Sequence, residues 1–207
     1  MQRRDFIRIL IIGAGVGLLI QPILSNNLPA KYVEYLTLGA RLGIFAFFLI
    51  LAPLALWIAS FISRKWQALR GLYQFAQFAA VGTLNSFIDV GVFNLETYLN
   101  GTALISNGLF AAFKAISFVC GTTNSFIWNK YWTFGAQDKT NVKEVSSFYG
   151  VAIVGWVLNV SMATLVKAYG PAGSTAWVNI VAPLAGVAVS FAWNFLGYKY
   201  WVFRKTA

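Results

Sequence analysis

The sequence contains no histidine and one cysteine, and only 11% of its 207 residues are charged. Soluble domains carry roughly 25% charged residues. The scarcity of charge along the whole chain therefore argues against a soluble domain and predicts an integral membrane protein. Without histidine, and with Cys120 as the lone thiol, the chain lacks the imidazole and thiolate ligands of common metal sites. We expect no metal and no other cofactor.

The apolar residues, which make up 58% of the chain, fall into six runs. Each run is close to the ~20 residues that cross a bilayer as a helix. The period-two alternation of a barrel strand is absent, so the pattern predicts an all-α membrane protein with six transmembrane helices. The predicted spans are about Phe6–Leu24, Leu42–Ile62, Leu72–Leu95, Leu104–Phe126, Ser146–Val166 and Val178–Tyr198.

The basic residues gather at one set of span ends. The chain has 16 Lys and Arg against 6 Asp and Glu, a net charge of +10. In a soluble protein this charge would suggest nucleic acid. Here the positive-inside rule explains most of it, so we expect no nucleic-acid partner and both termini in the cytoplasm. Three basic residues fall on the opposite side, against twelve on the cytoplasmic side. The twelve are Arg3, Arg4, Arg8, Arg64, Lys65, Arg70, Lys130, Lys139, Lys143, Lys199, Arg204 and Lys205.

Two nearly identical segments close the fourth and sixth spans. FIWNKYWTF at 126–134 and FLGYKYWVF at 195–203 align without a gap and share F-x-x-x-K-Y-W-x-F. The third and fifth spans also share Val-Gly followed by Leu-Asn. Each helix hairpin starts and ends on the same side of the membrane. The pattern therefore indicates parallel repeats, related by an axis along the membrane normal.

Further residues of the two hairpins complete a pattern that is known from one family. They are Phe78, Val81, Gly82, Asn85, Asp89, Phe93, Ser125, Gly155, Asn159 and Asn194. Together with the repeated motif they resemble the GtrA-like family of small bacterial membrane proteins, over about 73–204. The second repeat departs from the first by placing Tyr198 where the first has Asn129.

The resemblance implies a four-helix core of two parallel hairpin repeats. We assign this core to 71–207, with repeat one at 71–134 and repeat two at 146–204. The remaining 1–70 then form an N-terminal two-span extension with a basic linker.

The same resemblance implies a role in cell-surface polysaccharide or glycoconjugate synthesis in the bacterial cytoplasmic membrane. The expected activity is a translocase, or translocase subunit, for a polyprenyl-phosphate-linked monosaccharide. A core of four short helices is small for a complete transport path, which is consistent with a homodimer. No hydrolytic or transfer machinery is visible, so we do not expect an enzyme.

Two other functions remain open. The chain could be a non-transporting partner that recruits or stabilises a polyprenyl-phosphate glycosyltransferase through its basic cytoplasmic face. It could also be a small cation or drug exporter, which would need an essential membrane carboxylate. Asp89 is the deep candidate for that carboxylate.

The repeated motif supplies candidates for headgroup binding. Lys130 and Lys199 end their spans at headgroup depth, and Trp132 and Trp201 follow two residues later. A lysine acts as a point charge on phosphate, and a tryptophan suits the interface and can stack on a sugar. The alternative is a simple anchor, because aromatic belts with snorkelling lysines occur at many span ends.

Two charges within spans form a second candidate group. Asp89 lies 12 residues before Gly101, in the turn joining its span to the next, and Lys114 lies 13 residues after it. Both should then lie ~18–20 Å from the turn, because a helix rises 1.5 Å per residue. We predict that they pair or share a polar cavity, with Lys114 as a phosphate way-station. An inert ion pair is the alternative.

Amides complete the candidate polar cavity. Intramembrane amides often join helices by hydrogen bonds, and several together could also line a sugar path. The candidates are Asn85, Asn124, Asn129, Asn159 and Asn194.

Overall fold

The structure is a computed structural model, and helices are the regular secondary structure of the residues that it describes, with no strand among them. The described residues are 1–28, 30–100, 107–136, 138–171 and 181–204. Of the features predicted above, the turn at Gly101, the first residues of the fourth and sixth spans, and Lys205 lie outside this set.

Seven α-helices occur in the described residues, and they cover the described parts of all six predicted spans. Their bounds are α1 Arg3–Asn27, α2 Ala30–Val33, α3 Leu38–Lys65, α4 Leu72–Leu99, α5 Asn107–Trp128, α6 Val142–Ala168 and α7 Ala182–Gly197. A short 3-10 helix at Gln67–Leu69 precedes α4, and single π-helical turns continue α5 and α7. The all-α class is therefore confirmed.

Four helical segments in the described residues are long and apolar enough to cross a membrane. These are Arg3–Ser25, Leu38–Lys65, Gln67–Glu96 and Val142–Ala168. They correspond to the first, second, third and fifth predicted spans. That α5 and α7 also cross the membrane stays a prediction.

Side-chain caps and charges fix several helix ends. The Thr37 hydroxyl accepts a hydrogen bond from the Ala40 amide at the start of α3, and Arg64 and Lys65 lie in its last turn. Asn141 caps α6 by accepting from the amide of Glu144, which is itself acidic in the first turn. Capping oxygens satisfy free amides, and these charges complement the helix dipole.

The chain forms two compact units, 1–133 and 134–207. In the first unit, α1 packs against α3 and α4, and α4 packs against α5. Gly13 allows the close approach of α3, because a Cβ there would lie 2.7 Å from the Phe48 carbonyl oxygen. The buried core joins residues of α1, α3 and α4 to Trp132 after α5.

The second unit is a hairpin of α6 and α7, closed by an aromatic cluster. Phe148 of α6 is fully buried and stacks on Tyr198, with ring centroids 4.2 Å apart. Phe203 packs against both rings and against Phe134, so the end of α7 is held against the start of α6.

Large apolar side chains cover much of the outer helix surface. Leu42, Phe47 and Ile50 of α3 are each more than half exposed, and Trp156 of α6 is similar. Soluble monomers rarely expose contiguous apolar surface of this kind. The surface therefore suits a hydrocarbon environment, in agreement with a membrane protein.

Candidate functional site

The repeated motif forms a π-helical turn in both units. The first turn is Asn129–Thr133 and the second is Tyr198–Val202. In each, the lysine lies over the ring of the phenylalanine four residues earlier and the tyrosine that follows. These nitrogen-to-centroid distances are both 5.8 Å for Lys130 and both 5.5 Å for Lys199. Isolated π-helical turns often occur at functional sites.

The two motif lysines differ in burial. We expect both to reach the headgroup region, but Lys130 is 0% exposed and Lys199 is half-buried. Side chains of a helix lean towards its N-terminus. A lysine at the end of α5 therefore points back into its bundle, over Phe126. The structure makes Lys130 an internal cation rather than a surface anchor.

The two motif tryptophans also differ. Trp132 is 5% exposed, and its Nε1 donates to Asp5 Oδ1 at 2.9 Å. The second carboxyl oxygen of Asp5 accepts from the Tyr73 hydroxyl at 2.9 Å. Trp201 is 63% exposed and packs only edge-on against Trp193 among the ring contacts of the described residues. Trp201 thus keeps an open face, whereas Trp132 is fixed by the N-terminal helix.

The first π-helical turn contains two buried acceptors that the described residues leave unused. Asn129 donates from its Nδ2 to Ser125 Oγ at 3.0 Å, but its Oδ1 has no hydrogen-bond partner among them. Thr133 Oγ1 is likewise buried without a described partner. Buried polar atoms are normally paired. These two therefore suit a ligand hydroxyl or water beside Lys130.

The predicted pairing of Asp89 with Lys114 is confirmed. Lys114 Nζ lies 3.1 Å from Asp89 Oδ1 and 3.2 Å from Oδ2. The buried Ser117 hydroxyl also donates to Asp89 Oδ1. The side chains of Lys114 and Asp89 are 41% and 32% exposed. The ion pair is therefore partly accessible, and it lies between α4 and α5.

A hydrogen bond between two predicted amides continues the polar contact between α4 and α5. Asn124 Nδ2 donates to Asn85 Oδ1 at 2.6 Å. Asn85 and Asp89 share one face of α4, since they are four residues apart. Gly121 brings the helices together here, because its Cβ would lie 3.1 Å from the Asn85 carbonyl oxygen.

Polar groups recur along α5 in three separate sets of hydrogen bonds, followed by Lys130, and we call these groups the polar ladder. They are Asp89, Lys114, Ser117, Asn85, Asn124, Ser125, Asn129 and Lys130. At 1.5 Å per residue, the ladder extends ~24 Å from Lys114 to Lys130. It lies wholly within the first unit.

The second unit has its own amide contact. Asn159 Nδ2 donates to Ser190 Oγ at 3.1 Å, and Gly186 lies against the Asn159 backbone. Asn194 Oδ1 is buried without a described hydrogen-bond partner, close to Gly155. Asn159 therefore joins α6 to α7, as Asn85 joins α4 to α5.

Comparison with known proteins identifies the family. The GtrA/DPMS transmembrane domain matches residues 77–203. The chain belongs to this family. GtrA/DPMS membership agrees with the resemblance seen in the sequence, and it suggests a role in handling lipid-linked sugars. Both π-helical turns lie within the matched region.

The chain is similar to YngA of Bacillus subtilis (strain 168), which is described as an uncharacterized membrane protein. The two are 29% identical over 127 residues, which cover 61% of this chain and 77% of YngA. No solved structure matches the chain.

Sequence reasoning missed two polar residues beside the first GtrA-like motif. Asp5 and Tyr73 lie outside the matched domain, yet Asp5 accepts the hydrogen bond of Trp132, and Tyr73 donates to the same Asp5 carboxyl group. The sequence feature that distinguishes Asp5 is that it is an acidic residue among Arg3, Arg4 and Arg8, at the start of an apolar helix. Nothing in the spacing linked it to a residue 127 positions away.

Proposed function

We propose that this GtrA/DPMS-family chain is a translocase, or translocase subunit, for a polyprenyl-phosphate-linked monosaccharide. It acts without catalysing bond chemistry, in the cytoplasmic membrane of a bacterium. It serves the synthesis of cell-surface polysaccharide or glycoconjugate. The observation that carries the proposal is the polar ladder, in which polar groups recur within the helices between the ion pair and the buried Lys130.

The proposed topology has six spans, with both termini in the cytoplasm. The described part of α5 has 22 residues, or ~33 Å of helix, enough to cross a ~30 Å hydrocarbon core. The family core at 71–207 would contain two parallel hairpin repeats, 71–134 and 146–204, after a two-span extension at 1–70. The matching lysine geometry of the two π-helical turns supports the repeats.

The chemistry of the ladder suits a phosphate-linked sugar. The Lys130 ammonium is a cation for the phosphodiester. Asn129 Oδ1 and Thr133 Oγ1 can accept hydrogen bonds from sugar hydroxyls. Further along, Asn124, Asn85 and the half-exposed Lys114 offer the next polar contacts. A headgroup could thus exchange one set of partners for another without meeting bare hydrocarbon.

The second repeat would offer a more accessible copy of the cation. Lys199 has the same aromatic neighbours as Lys130 but is only half-buried. The open face of Trp201 lies two residues further on and can stack on a sugar. A homodimer would double these sites.

The test is transport of a short-chain polyprenyl-phosphate hexose by purified protein in liposomes. Lys130→Met and Lys199→Met should each slow transport about tenfold or more, because each removes a charge-assisted contact with phosphate. Lys143→Met is the matched control, since Lys143 is exposed on the first turn of α6. Elution as a single species establishes that each variant is folded.

The outcomes separate the rival functions. Transport that is equal in Lys130→Met, Lys199→Met and Lys143→Met would refute the motif as the headgroup site. No transport by the folded wild type would favour the partner that recruits a polyprenyl-phosphate glycosyltransferase. Proton-coupled cation export that is lost in Asp89→Asn would favour the small exporter.

A further inference from the structure

An apolar cleft runs between α1, α3 and α4 in the first unit. Its volume is about 270 Å³, and its lining comes from all three helices. Small side chains create the space, because six of the lining positions carry glycine or alanine where larger residues would fill it. They are Gly13, Ala52, Ala55, Ala76, Ala79 and Ala80.

The cleft is suited to hydrocarbon alone. Thr83 is the one polar side chain in its lining, and its hydroxyl already donates to the Ala79 carbonyl at 3.0 Å. All three helices belong to the segments that are apolar enough to cross a membrane. An empty cleft would forfeit dispersion contacts on every wall, so a lipid chain should fill it. Its volume is near the lower limit of ligand pockets, about 300 Å³, and fits a few isoprene units.

One end of the cleft lies about one helical turn from Asp5 and Tyr73, and Asp5 is bonded to Trp132 of the first motif. Ile9 of the lining follows Asp5 by one turn of α1, and Ala76 follows Tyr73 by nearly one turn of α4. Asp5 and Tyr73 meet at the carboxyl group that also holds Trp132. Trp132 belongs to the same buried cluster as Ile9, and it lies in the π-helical turn that contains Lys130.

We infer that the N-terminal hairpin builds a groove for the isoprene units next to the phosphate of a polyprenyl lipid. The inference rests on the proposed function and adds a site for the tail. A chain bound in the cleft would have its phosphate end on the side of the π-helical turn that contains Lys130 and Trp132. Helices α1 and α3 precede the matched family domain at 77–203, so two of the three walls of this groove lie outside the family core.

The experiment uses the full chain and a short polyprenyl phosphate with a photoreactive diazirine in its first isoprene units. A phosphatidylglycerol with a diazirine in its acyl chain is the parallel probe. Ala55→Leu and Ala79→Leu fill the cleft from α3 and α4. Ala46→Leu is the matched control, because Ala46 is exposed on α3 outside the cleft. Labelled peptides are mapped by mass spectrometry.

We expect the polyprenyl probe to label lining peptides of α1, α3 and α4. Unlabelled polyprenyl phosphate should compete with this labelling. Each filling variant should reduce it about tenfold, and Ala46→Leu should not, because a leucine displaces several buried carbons of the chain.

Labelling of peptides outside the cleft would overturn the groove. Equal labelling of the cleft by the phosphatidylglycerol probe, with no competition by unlabelled polyprenyl phosphate, would also overturn it. So would unchanged labelling in both filling variants. None of these readouts requires transport. A protein that binds the tail in the cleft but moves no sugar would contradict the translocase and leave the groove intact.

Discussion

Removing the carboxyl group of Asp5 should loosen the first π-helical turn. Asp5 accepts one hydrogen bond from Trp132 and one from Tyr73, and Arg8 lies 3.6 Å away. Hydrogen bonds to a charged group contribute about 1.5–3 kcal/mol each in soluble proteins, and interhelical bonds in membranes average ~0.6 kcal/mol. With both donors left unpaired, we expect Asp5→Ala to reduce the free energy of unfolding by about 2 kcal/mol.

The assay is unfolding of the purified protein in detergent, followed by circular dichroism. Asp5→Asn should cost about half as much, because the amide oxygen can still accept one of the two bonds. Glu34→Ala is the control, since Glu34 is an exposed acid outside this contact. If Asp5→Ala and Glu34→Ala unfold alike, the reasoning about the Trp132 contact is refuted.

Asp89→Asn and Lys114→Met should each reduce the free energy of unfolding by about 1 kcal/mol. The loss is this small because the pair is partly exposed and solvent screens it. The double variant should lose less free energy of unfolding than the sum of the two single losses, because neither charge is then left without its partner. Strict additivity of the two losses would contradict the pairing. Gly186→Ala should cost about 1–3 kcal/mol, because its Cβ would lie 2.5 Å from the Asn159 carbonyl oxygen. Gly150→Ala, whose Cβ would meet open space, should be neutral or stabilising in the same unfolding assay.

The helices and the ion pair were predictable because their signals are local or follow from simple geometry. Runs of ~20 apolar residues define spans. The nearly equal distances of Asp89 and Lys114 from the turn placed them at one depth, and the contact agrees. The duplicated motif likewise indicated the family, which the match over 77–203 confirms.

The environment of the motif was not predictable, because it depends on distant residues. A sequence of Lys, Tyr and Trp at a span end is as typical of an interfacial aromatic belt as of a headgroup-binding site. The burial of Lys130 follows from the direction of its side chain and from the packing around it. Trp132 donates its hydrogen bond to Asp5, which no spacing connects to the motif.

The most direct measurement is the rate at which a labelled polyprenyl-phosphate hexose crosses the bilayer of liposomes that contain the wild-type protein. Protein-free liposomes and a phosphatidylglycerol with the same label serve as references. We predict rapid movement of the sugar lipid, slow movement without protein, and no acceleration of phosphatidylglycerol. Equal rates for the sugar lipid with and without correctly inserted protein would contradict the account.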